Sequence, residues 1–148
     1  MIGPAEASAA ERREARAAGR RLADGGAIVV CGGRGGVMEA ACEGAKEAGG
    51  TTVGILPGLD RAEANEHVDI AIPTGMGEMR NALIVRAADA IVAIGGKWGT
   101  LSEISFGLKA GKPVYGVDTF DLEGIEKAES GGQSADLALK ALTRKAKS

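Results

Sequence analysis

Two glycine-rich loops are the segments of this sequence whose residue types could bind an anion. The first reads Cys31-Gly32-Gly33-Arg34-Gly35-Gly36 and the second reads Gly95-Gly96-Lys97-Trp98-Gly99-Thr100. Each follows a short apolar run and precedes a helical pattern, an arrangement that points free N–H groups and the positive end of a helix at a ligand. Phosphate is the anion that such loops favour. Glycine turns also pack a helix closely on a strand, and this packing alternative stays open for either loop taken alone.

Several side chains stand where they could act on a ligand held by these loops. Glu103 follows the second loop closely, where a carboxylate is also favourable through the helix dipole alone. Arg80 lies beside the glycines of the 75–77 turn, and the alternative is a solvated arginine on an amphipathic helix. Lys97 adds positive charge to a phosphate site or is simply solvated. Trp98, the only tryptophan, either stacks on a base or covers the helix end.

The elements that must position these residues alternate between strands and helices. The predicted strands are 27–31, 51–56, 68–72, 90–94 and 113–117, and the predicted helices are 8–23, 37–48, 78–88, 100–110 and 135–145. Segment 1–4 reads as the end of a strand, and 57–67 as one long surface loop. This alternation predicts an α/β fold, a single Rossmann-like domain over residues 1–148, with a mainly parallel sheet and helices on both faces. Both loops then fall at carboxyl ends of strands, where open α/β sheets bind ligands.

Composition excludes several classes of protein. The net charge of −2, with both signs spread along the 148 residues, builds no basic field for nucleic acid or an anionic membrane. No apolar run approaches the roughly 20 residues that span a bilayer, and no secretory signal is visible. We therefore expect a soluble, cytoplasmic protein without nucleic-acid or membrane partners.

The sequence indicates no metal site and no resident cofactor. Cys31 and Cys42 lack metal-ligand or CxxC spacing and read as small buried side chains. His67, the only histidine, is expected at the surface and without metal partners. A GxGxxG fingerprint with an acidic residue about 20 positions later is absent, as is GxxxxGK[ST], which argues against NAD and against a Walker-type ATP site.

The second loop and the helix after it carry a family resemblance. The segment GGKWGTLSE, residues 95–103, resembles the PGGxGTxxE motif of the Lonely Guy and "lysine decarboxylase-like" Rossmann family, and CGGRGGVM, residues 31–38, resembles that family's GGGxxGxM loop. The segments GGTTVGILPG and RNALIVRAAD extend the likeness over nearly the whole chain. They are similar to a small branch that also resembles molybdenum cofactor carrier proteins.

This resemblance implies a reaction and two active residues. Lonely Guy proteins hydrolyse the N-glycosidic bond of a nucleoside 5′-monophosphate, releasing the base and ribose 5-phosphate. The motif's glutamate corresponds to Glu103 and the upstream arginine to Arg80. A carboxylate near an oxocarbenium-like transition state, with an arginine on phosphate or sugar oxygens, is coherent chemistry for this bond. The family also implies a homodimer or a homotetramer.

Four departures from the family motifs favour ligand binding over catalysis. Gly95 replaces the motif's proline, Lys97 its third-position glycine, Cys31 the first glycine of the other loop, and Asn81 the lysine after the arginine. An Arg-Asn pair resembles the cofactor carriers more than the hydrolases. The sequence therefore predicts a phosphate-bearing small molecule as ligand, a nucleoside monophosphate or a pterin cofactor, and a non-catalytic carrier or nucleotide sensor is the alternative to the hydrolase.

Overall fold

The computed structural model describes residues 1–148 and alternates strands with helices, as the sequence predicts. The helices are α1 (Ala9–Asp24), α2 (Val37–Glu47), α3 (Asn81–Ala87), α4 (Trp98–Lys109) and α5 (Gly131–Ala146). The strands are β1 (Val29–Cys31), β2 (Thr52–Leu56), β3 (Ile70–Pro73), β4 (Ile91–Ile94), β5 (Val114–Val117) and β6 (Ile125–Lys127). Short 3-10 turns lie at Arg61–Glu63 and Gly77–Arg80.

All strand pairs are parallel and form two three-stranded sheets. Their orders are β1-β2-β3 and β4-β5-β6. The two sheets meet across the first two residues of the chain. Ile2 forms a parallel bridge with Ala93 of β4, and the Met1 nitrogen donates a 2.8 Å hydrogen bond to the Val30 carbonyl of β1. Segment 1–4 thus contributes one bridge residue, Ile2, between β1 and β4. This agrees with the prediction that the segment is the end of a strand.

Helices cover both faces of the strands, because the strands are apolar on both sides. Helix α1 packs on α2 and α5 over one face, and α3 packs on α4 over the other. Alternate β4 residues enter the two cores: Val92 joins the first core, and Ile91 joins the second. This arrangement confirms the predicted α/β fold with a parallel sheet and helices on both faces.

The helix that begins at Ala9 shows how local sequence sets an element. The Ser8 hydroxyl accepts the Glu11 N–H at 3.1 Å, and the Ser8 N–H donates to the Glu11 carboxylate at 2.9 Å. This reciprocal capping box satisfies two helix-end donors, and it is the feature from which the sequence predicts the helix.

Most predicted boundaries agree with the structure within two residues, and the larger differences have identifiable reasons. Strand β6 was not predicted, because Ile125–Lys127 is a short, half-polar run at the sheet edge. Helix α5 begins four residues before the predicted 135, since Ser130 caps it by accepting the Gln133 N–H, although the Gly131-Gly132 start has low helix propensity. The predicted 78–88 helix is a 3-10 turn followed by α3. None of the helices combines the length and apolar character that crossing a bilayer requires.

Candidate functional site

A cavity of about 340 Å³ lies where the second glycine loop meets the start of the chain. Segment 1–6, Met38 of α2, Glu78, Arg80 and Asn81 form part of its wall, and Lys97 with the beginning of α4 forms the rest. The predicted residues that the structure brings to this cavity are Arg80, Lys97, Gly99, Thr100 and Glu103. They come from two elements separated in sequence, so the fold creates the cluster.

Glu103 is the most unusual group in the cavity. Its side chain is 7% exposed, lines the cavity, and receives no hydrogen bond from a protein donor. Burial raises the pKa of Glu103 to about 7, while the Met1 amine and Arg80 act in the opposite direction. A nearly buried carboxyl group without a protein partner, titrating near neutrality, is available to a ligand as an acid or as a base.

Arg80 is held in place by carbonyl groups. Its Nε donates to the Ile55 carbonyl at 2.9 Å, and one terminal nitrogen contacts the Gly32 carbonyl at 3.4 Å. The other terminal nitrogen donates to the Asn81 side chain. Burial lowers the pKa of the guanidinium, and the charge of Glu103 opposes this shift. Arg80 therefore connects the end of β2 and the first glycine loop to the cavity, in addition to offering its remaining N–H groups to a ligand.

Asn81 lines the cavity. In the sequence it stands out only because it replaces the lysine that follows the arginine in the family motif. It is 7% exposed, accepts from Arg80, and donates through Nδ2 to Ser102 at 3.3 Å. Ser102 in turn donates to the Gly99 carbonyl at 2.7 Å. This chain links Arg80 to the second loop, and the adjacency of Asn81 to the arginine was the signal that could have identified it.

The second loop presents unbonded backbone donors to the cavity. The amides of Gly99 and Thr100, in the first turn of α4, make no backbone hydrogen bond, as expected for the N-terminal turn of a helix. Gly95 and Gly96 do not line the cavity. Gly95 instead lies against the Glu11 carboxylate and Gly96 against the Phe120 ring, so the packing alternative describes these two glycines.

The first glycine loop lies behind the cavity wall and does not line it. Gly32 contacts Arg80 and Met38, and Gly33 lies against Leu56. The carbonyl of Pro4 accepts the Val37 N–H at 3.1 Å, so the first amide of α2 is occupied by the chain itself. The segment after Ile2 crosses the start of α2, which separates the glycines of the 32–36 loop from the cavity.

Two residues that the sequence predicts to bind the ligand, Trp98 and Arg34, do not line the cavity. Trp98 is 84% exposed and does not line the cavity. Arg34 is exposed and its guanidinium lies 3.4 Å from the Glu63 carboxylate. The structure therefore gives neither residue a place beside Glu103.

One group of potential metal ligands lies outside this cavity. Glu39, Glu66 and His67 place one ligand atom each within 4.8 Å of one another. Glu66 is 82% exposed in its side chain, and Glu39 also lies 3.9 Å from Arg12. The sequence predicts no metal partners for His67, because its proximity to Glu39 arises only in the folded chain.

The fold is that of a Rossmann-like α/β protein, and comparison with known proteins gives the family. The model of the SLOG cluster4 family matches residues 1–144, and the chain belongs to this family.

Similar solved structures and a sequence relative agree with this membership. The molybdenum cofactor binding protein from the phototrophic bacterium Rippkaea orientalis is 36% identical, with a TM-score of 0.88 over 95% of this chain and 93% of that one. The molybdenum cofactor carrier protein from Chlamydomonas reinhardtii is 33% identical, with a TM-score of 0.85 over 96% of this chain and 95% of that one. An uncharacterized protein from Archaeoglobus fulgidus is 44% identical over 77% of this chain and 75% of its own length. These findings confirm the resemblance that the motifs indicate.

Proposed function

We propose that the chain binds a phosphate-bearing small molecule in the cavity between Arg80 and the start of α4. The observation that supports this proposal is the position of Glu103, which is buried beside Arg80 without a protein hydrogen-bond partner. The same cavity is lined by Gly99 and Thr100, whose amides make no backbone hydrogen bond. The amides and the positive helix end favour the phosphate, and Lys97 at the same wall adds charge. The Glu103 carboxyl group is then free to contact a part of the ligand other than the phosphate.

With a nucleoside 5′-monophosphate as ligand, phosphate binding at the α4 amides and a separate Glu103 carboxyl group support hydrolysis of the N-glycosidic bond. With the phosphate at the α4 amides and Arg80, the Glu103 carboxylate stabilises positive charge that develops on the sugar and orients an attacking water. Water adds to the anomeric carbon as the bond to the base breaks, and the base leaves with a proton. The products are the free base and ribose 5-phosphate.

A second candidate is a carrier that holds a pterin cofactor without chemical change. It is favoured by two relatives more than 30% identical over nearly the whole chain, which are named as molybdenum cofactor binding and carrier proteins. Asn81 also favours it. A neutral amide, already bonded to Arg80 and Ser102, stands where the hydrolase motif has a lysine.

Two measurements separate these candidates. Native mass spectrometry of the purified protein identifies any co-purifying ligand, and a nucleotide supports the hydrolase whereas a pterin supports the carrier. A chromatographic assay then follows base release from the common nucleoside 5′-monophosphates. Release by wild type establishes the hydrolase, and no release from any of them, with a bound pterin, establishes the carrier.

Arg80→Ala is expected to weaken AMP binding by roughly tenfold or more, because it removes a charged donor and its contact with the Gly32 carbonyl. Isothermal titration with AMP measures the affinity, and circular dichroism melting checks folding. Arg86→Ala is the matched control, since Arg86 is exposed on α3 outside the cavity. Equal AMP affinity in the two folded variants would remove Arg80 from the binding site.

We also propose that the chain pairs with a second copy through the α3–α4 face. This face and the turn before it expose large apolar side chains that a monomer leaves in water, namely Met79, Leu83, Trp98 and Phe106, at 70%, 37%, 84% and 45% exposure. Helices α3 and α4 pack against each other, and we infer that these side chains contribute to one surface. Closed pairing gives a homodimer, and pairing of dimers gives a homotetramer.

Light scattering at micromolar concentration is expected to give a dimeric or tetrameric mass for wild type. Phe106→Glu places a charge in the proposed interface and is expected to lower that mass to that of a smaller unit. Leu122→Glu is the control, because Leu122 is 39% exposed in the loop before β6. A monomeric wild type would contradict the proposal, as would a Phe106→Glu variant of unchanged mass.

A further inference from the structure

Cys31 and Cys42 form a pair of thiols that the proposed function does not use. Cys31 is the last residue of β1 and Cys42 lies in α2. Both are fully buried, and their sulfur atoms are 3.5 Å apart. They are the only two cysteines of the chain, so any intramolecular disulfide joins this pair.

The surroundings make one sulfur of the pair nucleophilic. The Gly33 N–H donates to the Cys31 sulfur at 3.3 Å. The hydrogen bond from Cys42, this amide contact and nearby positive charge lower the pKa of Cys31 to about 7, against the effect of burial. The same contact and burial raise the pKa of the Cys42 thiol. Of the two thiols, Cys31 is therefore the one whose ionised form is favoured.

We propose that Cys31 and Cys42 are a redox-modification site, a dithiol that closes to a disulfide under peroxide and thereby displaces the first glycine loop. The Cys31 thiolate attacks one oxygen of hydrogen peroxide, the O–O bond breaks, and the departing hydroxide takes up a proton. The Cys42 sulfur then attacks the sulfenic acid on Cys31, forms the S–S bond, and water leaves with the Cys42 proton. Two thiols are oxidised by two electrons, and one peroxide becomes two waters.

We expect closing the bond to move the backbone beside Arg80. A disulfide requires a sulfur separation of about 2.0 Å, shorter than the 3.5 Å of the dithiol. The residue after Cys31 is Gly32, whose carbonyl lies 3.4 Å from Arg80 and whose backbone has little free space toward Arg80 and Met38. The shift at the end of β1 is thus transmitted to the cavity wall. This last step, an effect on ligand affinity, rests on the proposed function, whereas disulfide formation does not.

Peptide mass spectrometry tests the disulfide directly. Trypsin cleaves after Arg21, Arg34 and Lys46, which places the two cysteines in separate peptides, 22–34 and 35–46. After treatment of the folded protein with hydrogen peroxide and alkylation in denaturant, we expect these peptides to be linked in wild type and released by dithiothreitol. Cys42→Ala is the control and gives no link. Recovery of both wild-type cysteines in alkylated form, or a link only between two chains, overturns the proposal.

A second readout tests the movement of the loop. Hydrogen exchange of the 32–36 amides is expected to change on oxidation of wild type and to stay constant in Cys42→Ala. AMP affinity is expected to fall roughly tenfold on oxidation and to recover on reduction. A linked peptide pair with unchanged loop exchange overturns the coupling. If AMP binds neither form while the link forms and the loop moves, the nucleotide-binding candidate of the proposed function fails and the redox site stands.

Discussion

Replacing Glu103 by glutamine is expected to slow the release of adenine from AMP by roughly 10²-fold while leaving AMP affinity within about threefold of wild type. The carboxylate acts mainly on charge that appears in the transition state, and a neutral amide of the same shape cannot stabilise that charge. Because burial raises the pKa of Glu103 to about 7, the wild-type rate is also expected to rise with pH through this value. A chromatographic assay of adenine across the neutral range measures both effects.

The stability of the same variant provides a control with a definite sign. The folded-state pKa of Glu103 lies above its ordinary value of 4.5. The group therefore contributes stability that is fully present below that value and is lost as the pH rises through about 7. We expect Glu103→Gln to exceed wild type by up to roughly 3 kcal/mol at mildly alkaline pH, with no difference at acidic pH. Equal adenine release by the two proteins would remove Glu103 from the mechanism, and equal stability at all pH values would contradict its burial.

Gly36→Ala is expected to lower the free energy of unfolding by roughly 3 kcal/mol or more. Gly36 precedes α2 with φ 63° and ψ −126°, a region that side-chain-bearing residues rarely adopt. A Cβ atom at this position would lie 2.2 Å from the Pro4 carbonyl oxygen, which is itself fixed by the Val37 N–H. Urea denaturation followed by circular dichroism measures the change.

The neighbouring glycine is the matched control for this prediction. An added Cβ at Gly35 would have its nearest contact at 3.4 Å, an ordinary distance, with the Ala5 carbonyl. We therefore expect Gly35→Ala to change the stability by less than about 1 kcal/mol. If the two variants denature at the same urea concentration, the 4–5 segment does not pack on the start of α2 as described.

Much of the fold could be predicted because its signals are local. The capping box at Ser8 and the apolar runs before both glycine loops correspond to α1, β1 and β4 within a few residues. Strand β6 could not be predicted in this way. It is stabilised by pairing with β5, and its own residues, Ile125–Lys127, carry no strand pattern.

The candidate site likewise contains residues with a local sequence signal and residues whose position depends on long-range contacts. In the sequence, Glu103 lies about one helical turn after Gly99 and Thr100. In the structure, all three residues line one cavity. The position of the first loop depends on where the 3–6 segment crosses α2, a long-range contact with no local signal. Asn81 was missed for a related reason, since its place in the cavity depends on hydrogen bonds to Arg80 and Ser102.

Strand pairing between the two half-sheets runs only through Met1 and Ile2, and side-chain packing in the two cores forms the rest of the junction. Arg80 is anchored to one half through the Ile55 carbonyl, and α4 follows a strand of the other half. In the proposed binding mode, a ligand held by Arg80 and the α4 amides would contact both half-sheets. We therefore expect ligand binding to restrict relative movement of the two half-sheets.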